Sequence, residues 1–329
     1  IQGAAGSGKT SVALHRIAYL LYHDRENLKA ANILILSPNN AFSDYISHIL
    51  PELGEEHIQE MSFDLFAYKE LKEVANDCED RYDYLEKKMK FQDSEWEIRF
   101  KEKQSASFIG QMEGFLAMLE EDLVNIRSFT FKGFHKTEEE IIHLFYFKFQ
   151  TVPLLARMDA VMEYLIDEYE TLRGKNISEE DMEALRETFQ KMYVTTDLYE
   201  IYGWLLKDCG YPELSNAEYE RRKLEYEDVF PMLYLKYRLK GSRKHKNIKH
   251  LVIDEMQDYS YLQYSILSML FHCRMTILGD RAQTMDRECQ DVTKFLPKIF
   301  GRKIRKIVMN KSYRNTLEIA EYAERIRGG

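Results

Sequence analysis

Proline, glycine and cysteine are all scarce in this 329-residue chain, at 6, 15 and 4 residues. So few helix breakers over such a length favour helices over loops. The cysteines (Cys78, Cys209, Cys273 and Cys289) are widely scattered and form no CxxC pair. That spacing argues against a disulfide framework or a zinc site, and leaves buried or incidental thiols in a reducing cytosol as the expectation. No run of about 18 uninterrupted apolar residues occurs, so no membrane span is expected. A secretory leader is also lacking, and the opening IQGAAGSGKT has the texture of mid-domain sequence. No fixed-period repeat is present, which excludes a solenoid.

What the chain does contain is material for real cores: 45% apolar and 13% aromatic residues, a composition that argues against disorder. The length fits two domains, or one domain with a large insertion. The net charge is −9, so a nucleic-acid role requires a local basic surface. The charge is also uneven. Residues 72–240 hold 24 Lys+Arg against 36 Asp+Glu, net −12, which leaves about +3 for the remainder.

The texture of the chain changes at the same places. Residues 1–71 read as α/β: a helix from Thr10 to Tyr22, a buried parallel strand at ANILILS (31–37), a helix over 39–53 and a short strand within 57–63. Residues 72–240 read as long, charged, amphipathic helices, with capped starts at Thr137 (Glu140 three residues on) and Ser178, and a Gly174-Lys175 stop. Residues 241–329 return to α/β, with strand-like runs IKHLVIDE, RMTILGD and RKIRKIVMN. The expected organisation is a parallel sheet built from both chain ends, 1–71 and 241–329, with an all-helical insertion over 72–240.

Gly3-Ala4-Ala5-Gly6-Ser7-Gly8-Lys9-Thr10 matches GxxxxGK[ST] in full. Glycines at this spacing let backbone N–H groups approach phosphates, and the helix behind them adds its positive end. Lys9 would reach the β- and γ-phosphates and Thr10 would ligate Mg²⁺. A Gly-rich turn that binds nothing is the alternative, and the amphipathic helix directly after Lys9-Thr10 argues against it. Asp254 and Glu255 close an apolar strand, suited to holding the metal and to polarising a water. Gln283, in GDRAQ, is a neutral donor suited to sensing a γ-phosphate. In KSYRNT, Arg314 offers a planar fork and Tyr313 a ring. Taken singly, Tyr313 reads as a core aromatic and Arg314 as a surface charge.

In this order, GAAGSGKT, DEMQD, GDRAQ and SYRNT resemble the motifs of the UvrD/Rep-like superfamily 1 helicases. The resemblance covers about the first 70 and last 80 residues. It implies a RecA-like P-loop NTPase domain using ATP and Mg²⁺. Gly3 to Thr10 would bind nucleotide, with Lys9 on the phosphates. Thr10 and Asp254 would hold the metal, and Glu255 would activate water. Gln283 would sense the γ-phosphate, Arg314 would act in the transition state, and Tyr313 would stack on adenine. The family also carries an adenine motif before the loop and a second RecA-like domain after SYRN. The chain therefore reads as a first motor domain with its insertion, expected to bind nucleotide and to hydrolyse it poorly by itself.

Ser37-Pro38-Asn39-Asn40 departs from the DNA-contacting segment of the family's DNA-tracking members. Together with LSPNNAFSDYISHILPELGE and the long insertion, QGAAGSGKTSVALHRIAYLLY looks more like the HelD branch. That likeness implies core RNA polymerase as partner; a 3′–5′ translocase on single-stranded DNA is the alternative, and a non-motor ATP-binding module a third reading. An acidic arm suits entry into a basic nucleic-acid channel, although an ordinary solvated surface has the same charge. The aromatic stretch 129–150 reads as helix core or as a partner-binding wedge. The basic run 236–249 reads as a phosphate contact or as a solvated connecting loop.

Overall fold

In the computed structural model, residues 1–3, 7–38, 58–90, 95–242, 245–279, 292–301 and 304–309 are described. In chain order the first elements are β1 (Gln2–Gly3), α1 (Lys9–His23), β2 (Ile33–Leu36), β3 (Gln59–Met61) and α2 (Phe63–Leu71). Next come β4 (Asp77–Cys78), α3 (Arg81–Lys90), α4 (Glu95–Lys103), α5 (Ala106–Asp122), β5 (Phe129–Phe131), β6 (Phe134–Lys136) and α6 (Glu138–His143). A π-turn (Leu144–Lys148), α7 (Leu154–Arg173), α8 (Glu179–Gln190), α9 (Leu198–Asp208), β7 (Lys223–Leu224) and α10 (Tyr226–Lys240) follow. The chain continues with β8 (His250–Ile253), α11 (Tyr261–Leu270), β9 (Arg274–Ile277), α12 (Val292–Phe300) and β10 (Val308–Met309). Residues 39–53, where the sequence predicts a helix, lie outside the described residues.

The chain divides into two compact units, Ile1–Lys69 with Arg243–Gly329, and Glu70–Ser242. In the first unit, β3, β2, β8 and β9 form a parallel sheet in that order. The runs ILIL and HLVI are buried at every position, as a parallel strand covered on both faces requires. Strand β1 pairs in parallel with β10, and Gln2 bridges Gly279 just past β9. The stub that leads into the phosphate loop therefore sits between β9 and β10. Helix α1 buries Ala13, Leu14, Ile17 and Leu21 against Ile33, Ile35 and Val252, and leaves Tyr19 and Tyr22 exposed. Between β8 and β9, His250 Nε2 lies 2.9 Å from Thr276 Oγ1. Burial, chiefly, pulls the pKa of this imidazole down to about 4.

The second unit is mainly helical, and α10 runs through its core with residues buried all round the helix. Its Pro231 has no N–H to give the Glu227 carbonyl one turn earlier, and Gln104 Nε2 donates to that carbonyl instead, at 3.3 Å. Beside it lies a buried ion cluster. Lys103, 1% exposed, donates to Glu227 Oε1 (2.8 Å) and Asp228 Oδ1 (2.6 Å). Arg99 and the Tyr202 hydroxyl complete it, donating to Glu227 Oε1 and Asp228 Oδ1. Burial raises the Asp228 carboxyl above the usual range even with Lys103 beside it.

Two short strand pairs modify the expectation of an all-helical insertion. Strands β4 and β7 pair in parallel over two residues each. Strands β5 and β6 form an antiparallel hairpin across Lys132-Gly133, both at positive φ (45° and 82°), the backbone of a tight primed turn. The start of the aromatic stretch is thus a hairpin rather than helix. Its Phe129 packs on Phe189 (4.9 Å), and Phe131 and Phe134 pack on Tyr169 (5.2 and 5.8 Å). The stretch 81–126, which reads as one or two helices, is interrupted at Ser105, which caps α5 by accepting from Phe108 N–H. In the basic run, Lys236, Arg238 and Lys240 belong to α10 and are paired with Glu70, Glu73 and Glu113. Among the described residues, no helix is long and apolar enough to cross a membrane.

Candidate functional site

The carboxyl ends of β1, β8 and β9 meet at one edge of the sheet, the edge where parallel α/β sheets hold ligands. Gly3 N–H donates to the Gly279 carbonyl and Gly279 N–H to the Ile1 carbonyl, both at 3.2 Å. A side chain on Gly3 has no room: a Cβ there would lie 2.5 Å from Ser7 Oγ and 2.9 Å from the Met309 carbonyl oxygen. Gly8 caps α1 in the left-handed region (φ 85°), where a Cβ is costly.

Two features mark this loop as a place for an anion. Helix α1 begins with no side-chain cap and no acidic residue in its first turn, so its leading N–H donors are not answered by a carboxylate of its own. Ser7 is 1% exposed, and its hydroxyl has no hydrogen-bond partner among the described residues, a cost that a bound acceptor would remove. Lys9 opens the helix with its ammonium folded back onto the Gly3 carbonyl at 2.5 Å, and Thr10 follows, half-buried in the same turn. Ala4, Ala5 and Gly6 lie outside the described residues.

Opposite them stand Asp254 and Glu255. Asp254 N–H continues the ladder to the Leu36 carbonyl (2.9 Å), which carries its carboxyl group to the sheet edge at 9% exposure. Burial is the main cause that pushes its pKa up to about 6. Glu255 and Glu60 raise it further, while the Glu255 N–H and the Lys9 charge oppose the rise. A buried acid that responds to Lys9 belongs to the same electrostatic site as the loop. Glu255 adopts φ 49° and ψ 54°, a left-handed conformation uncommon for a non-glycine residue. Its loop is pinned by Met256 N–H on the Leu278 carbonyl (2.7 Å) and by the buried Tyr264 hydroxyl on the Met256 carbonyl (3.0 Å).

The residues present suit a nucleotide phosphate: an orphaned hydroxyl, a glycine cradle and a cation on one side, with a buried carboxylate on the other. Among the described residues, no group of three or more His, Cys, Asp or Glu side chains is arranged to hold a metal. A Mg²⁺ ion here would thus depend on phosphate and water oxygens besides Thr10 and Asp254. Gln283, Tyr313 and Arg314 lie outside the described residues. Gln257 and Gly279 went unassigned in the sequence, although both sit inside quoted motifs. Gln257 Nε2 donates to Glu255 Oε2 at 2.7 Å. A Cβ on Gly279 would lie 2.3 Å from Met256 Cγ and 2.6 Å from Gln257 Oε1.

No curated protein matches the chain. The family model described as the UvrD/REP helicase N-terminal domain matches residues 1–285.

Proposed function

Because the chain belongs to the UvrD/REP helicase N-terminal domain family, a family of helicase-like motors, we propose that ATP hydrolysis at this sheet edge drives remodelling or release of core RNA polymerase from nucleic acid, in the manner of HelD-like members. The observation that carries the ATP part is the start of α1, where Gly8, Lys9 and a buried Ser7 hydroxyl with no partner among the described residues lie within electrostatic reach of Asp254. Gly3 to Thr10 hold the nucleotide, with Lys9 on its terminal phosphates. Thr10 and Asp254 hold Mg²⁺, which would neutralise charge developing between the phosphates. Glu255 orients and polarises the attacking water. Gln283 reads the γ-phosphate, Arg314 offers its fork to the same group in the transition state, and Tyr313 stacks on the adenine.

The polymerase part rests on charge. Net −12 over residues 72–240 suits a protein arm that competes with nucleic acid for a basic channel, and suits a phosphate-tracking surface badly. The engagement of Lys236, Arg238 and Lys240 with glutamates points the same way. The test measures binding of the chain, with Mg-ATP, to core RNA polymerase and in parallel to labelled single-stranded DNA. Polymerase binding that disappears when residues 72–240 are replaced by a Gly-Ser linker, with nucleotide binding retained, is the expected result. Salt-sensitive DNA binding without polymerase binding would instead make the chain a single-strand translocase domain.

A further inference from the structure

The loop after β8 contains an amide that neither phosphate binding nor metal binding uses. Gln257 is 7% exposed, and its side chain turns back two residues to Glu255. A carboxylate only accepts hydrogen bonds, so the NH₂ end of the amide must face Glu255 and the carbonyl end must face away. The carbonyl oxygen would lie 2.6 Å from a Cβ on residue 279, so a side chain there would press on it as well as on Met256. Gly279 is in turn bonded through its own N–H and carbonyl to Ile1 and Gly3, the strand that enters the phosphate loop.

We infer that Gln257 is a positioning residue: it holds one oxygen of Glu255 so that the other faces the water to be activated, and Gly279 sets where Gln257 stands. The inference rests on the ATPase reading above. The chemistry favours an amide in this role. A free carboxylate rotates between equivalent settings, and a donor on Oε2 selects one of them. A lysine or arginine would orient the group equally well, but its charge would stabilise the carboxylate and weaken it as a base. The neutral donor orients without that penalty. Glu255 also sits in a left-handed backbone conformation held by the Met256 contacts, so the tether and the pinned loop together fix the carboxylate in place. The resulting chain of contacts runs from β1 through Gly279 and Gln257 to Glu255. A shift of the phosphate-loop strand thereby reaches the base directly, and the segment beginning at Gly279 is the one that carries Gln283.

The test compares Mg-ATP binding and ATP turnover in the full chain for Gln257→Ala, and for Gln257→Met, which keeps the buried volume without a donor. Each is made alone and in a Glu255→Gln background. The expected result is a loss of about 10- to 100-fold in kcat, as for other orienting partners, with Mg-ATP affinity changed by less than about threefold. In the Glu255→Gln background the same substitutions should lower the residual single-turnover rate no further, because a residue acting through Glu255 has nothing left to orient. Wild-type turnover in Gln257→Met, or an equal fold loss in both backgrounds, would overturn the inference and leave the ATPase reading standing. An unsubstituted chain that neither binds Mg-ATP nor hydrolyses it in a single turnover would overturn both.

Discussion

Helices of the Glu70–Ser242 unit begin on Ser105, Thr137, Ser178 and Asp197, each side chain accepting a hydrogen bond from a backbone N–H of the first turn. Two of them add three acidic residues in that turn: Glu138 to Glu140, and Glu179 to Asp181. Helix α1 of the other unit begins on Gly8, with neither. Buried polar groups do not divide the units so cleanly: the helical unit surrounds Lys103 with two carboxylates, yet among the described residues Trp96 Nε1 and Glu227 Oε2 lack a partner there, as the Ser7 hydroxyl does in the α/β unit. Helix α11, also in the α/β unit, carries a full capping box at Ser260, while α7 of the helical unit begins on Pro153 with neither cap nor acid. What sets the phosphate loop apart is therefore a bare helix start combined with the buried Ser7 hydroxyl and the Lys9 cation. A capped start answers its own donors, whereas a bare start beside a buried hydroxyl and a cation is suited to an anion.

Five substitutions, in three steps of expected size, would break or sharpen that contrast. The largest effect belongs to the bare helix start. Lys9→Ala should weaken Mg-ATP binding by on the order of 100-fold, the worth of one charge-assisted contact. Glu255→Gln should spare binding and reduce turnover by about 100-fold or more. Calorimetric titration and phosphate release measure the two effects separately, and unchanged affinity in Lys9→Ala would remove the phosphate assignment. The next is Lys103→Met, which leaves Glu227 with Arg99 as its cation and Asp228 with only the Tyr202 hydroxyl, and should cost about 3–5 kcal/mol of stability. Urea unfolding followed by circular dichroism reads that loss. Nucleotide affinity should be unaffected, and an equal loss of affinity would collapse the distinction between the two units. The smallest is the removal of a cap. Thr137→Ala and Ser178→Ala should each cost about 1 kcal/mol, visible in the melting temperature and absent from ATP titrations.

Features specified within a few residues were legible in the sequence. The capping box at Thr137, the cap at Ser178, the helix stop at Gly174 and the apolar strands at 33–36 and 250–253 all appear where local pattern puts them. The structure also brings Lys9 and Asp254 into one electrostatic site, although 245 residues separate them. What was not legible depends on distant partners or on an unusual turn. Lys103 reads as one more charge on an amphipathic helix until α10 brings Glu227 and Asp228 to it. The hairpin at 129–136 hides behind aromatic residues that also fit a helix, and its Lys-Gly turn needs positive φ at a lysine, where Asn or Asp is the usual signal. The reach of Gln257 back to Glu255 depends on a glycine 22 residues later, a dependence no motif spacing encodes.

The placement of β1 has a consequence for how the molecule is assembled. Ile1 bonds to the Ile277 carbonyl across 276 residues, and Gln2 bonds to that of Ile307. The helical unit, by contrast, is one continuous stretch of chain, although its own contacts also span long separations, 124 residues between Lys103 and Glu227. Held open as a flexible loop, that stretch would tax closure of the sheet; already folded, it shortens the effective loop. On the ribosome, a chain that has emerged as far as Leu270 can contain a completed insertion and still have no seat for β1. The strand that leads into the phosphate loop finds its neighbours only when β9 and β10 have been made, which makes the placement of that loop a late event of folding.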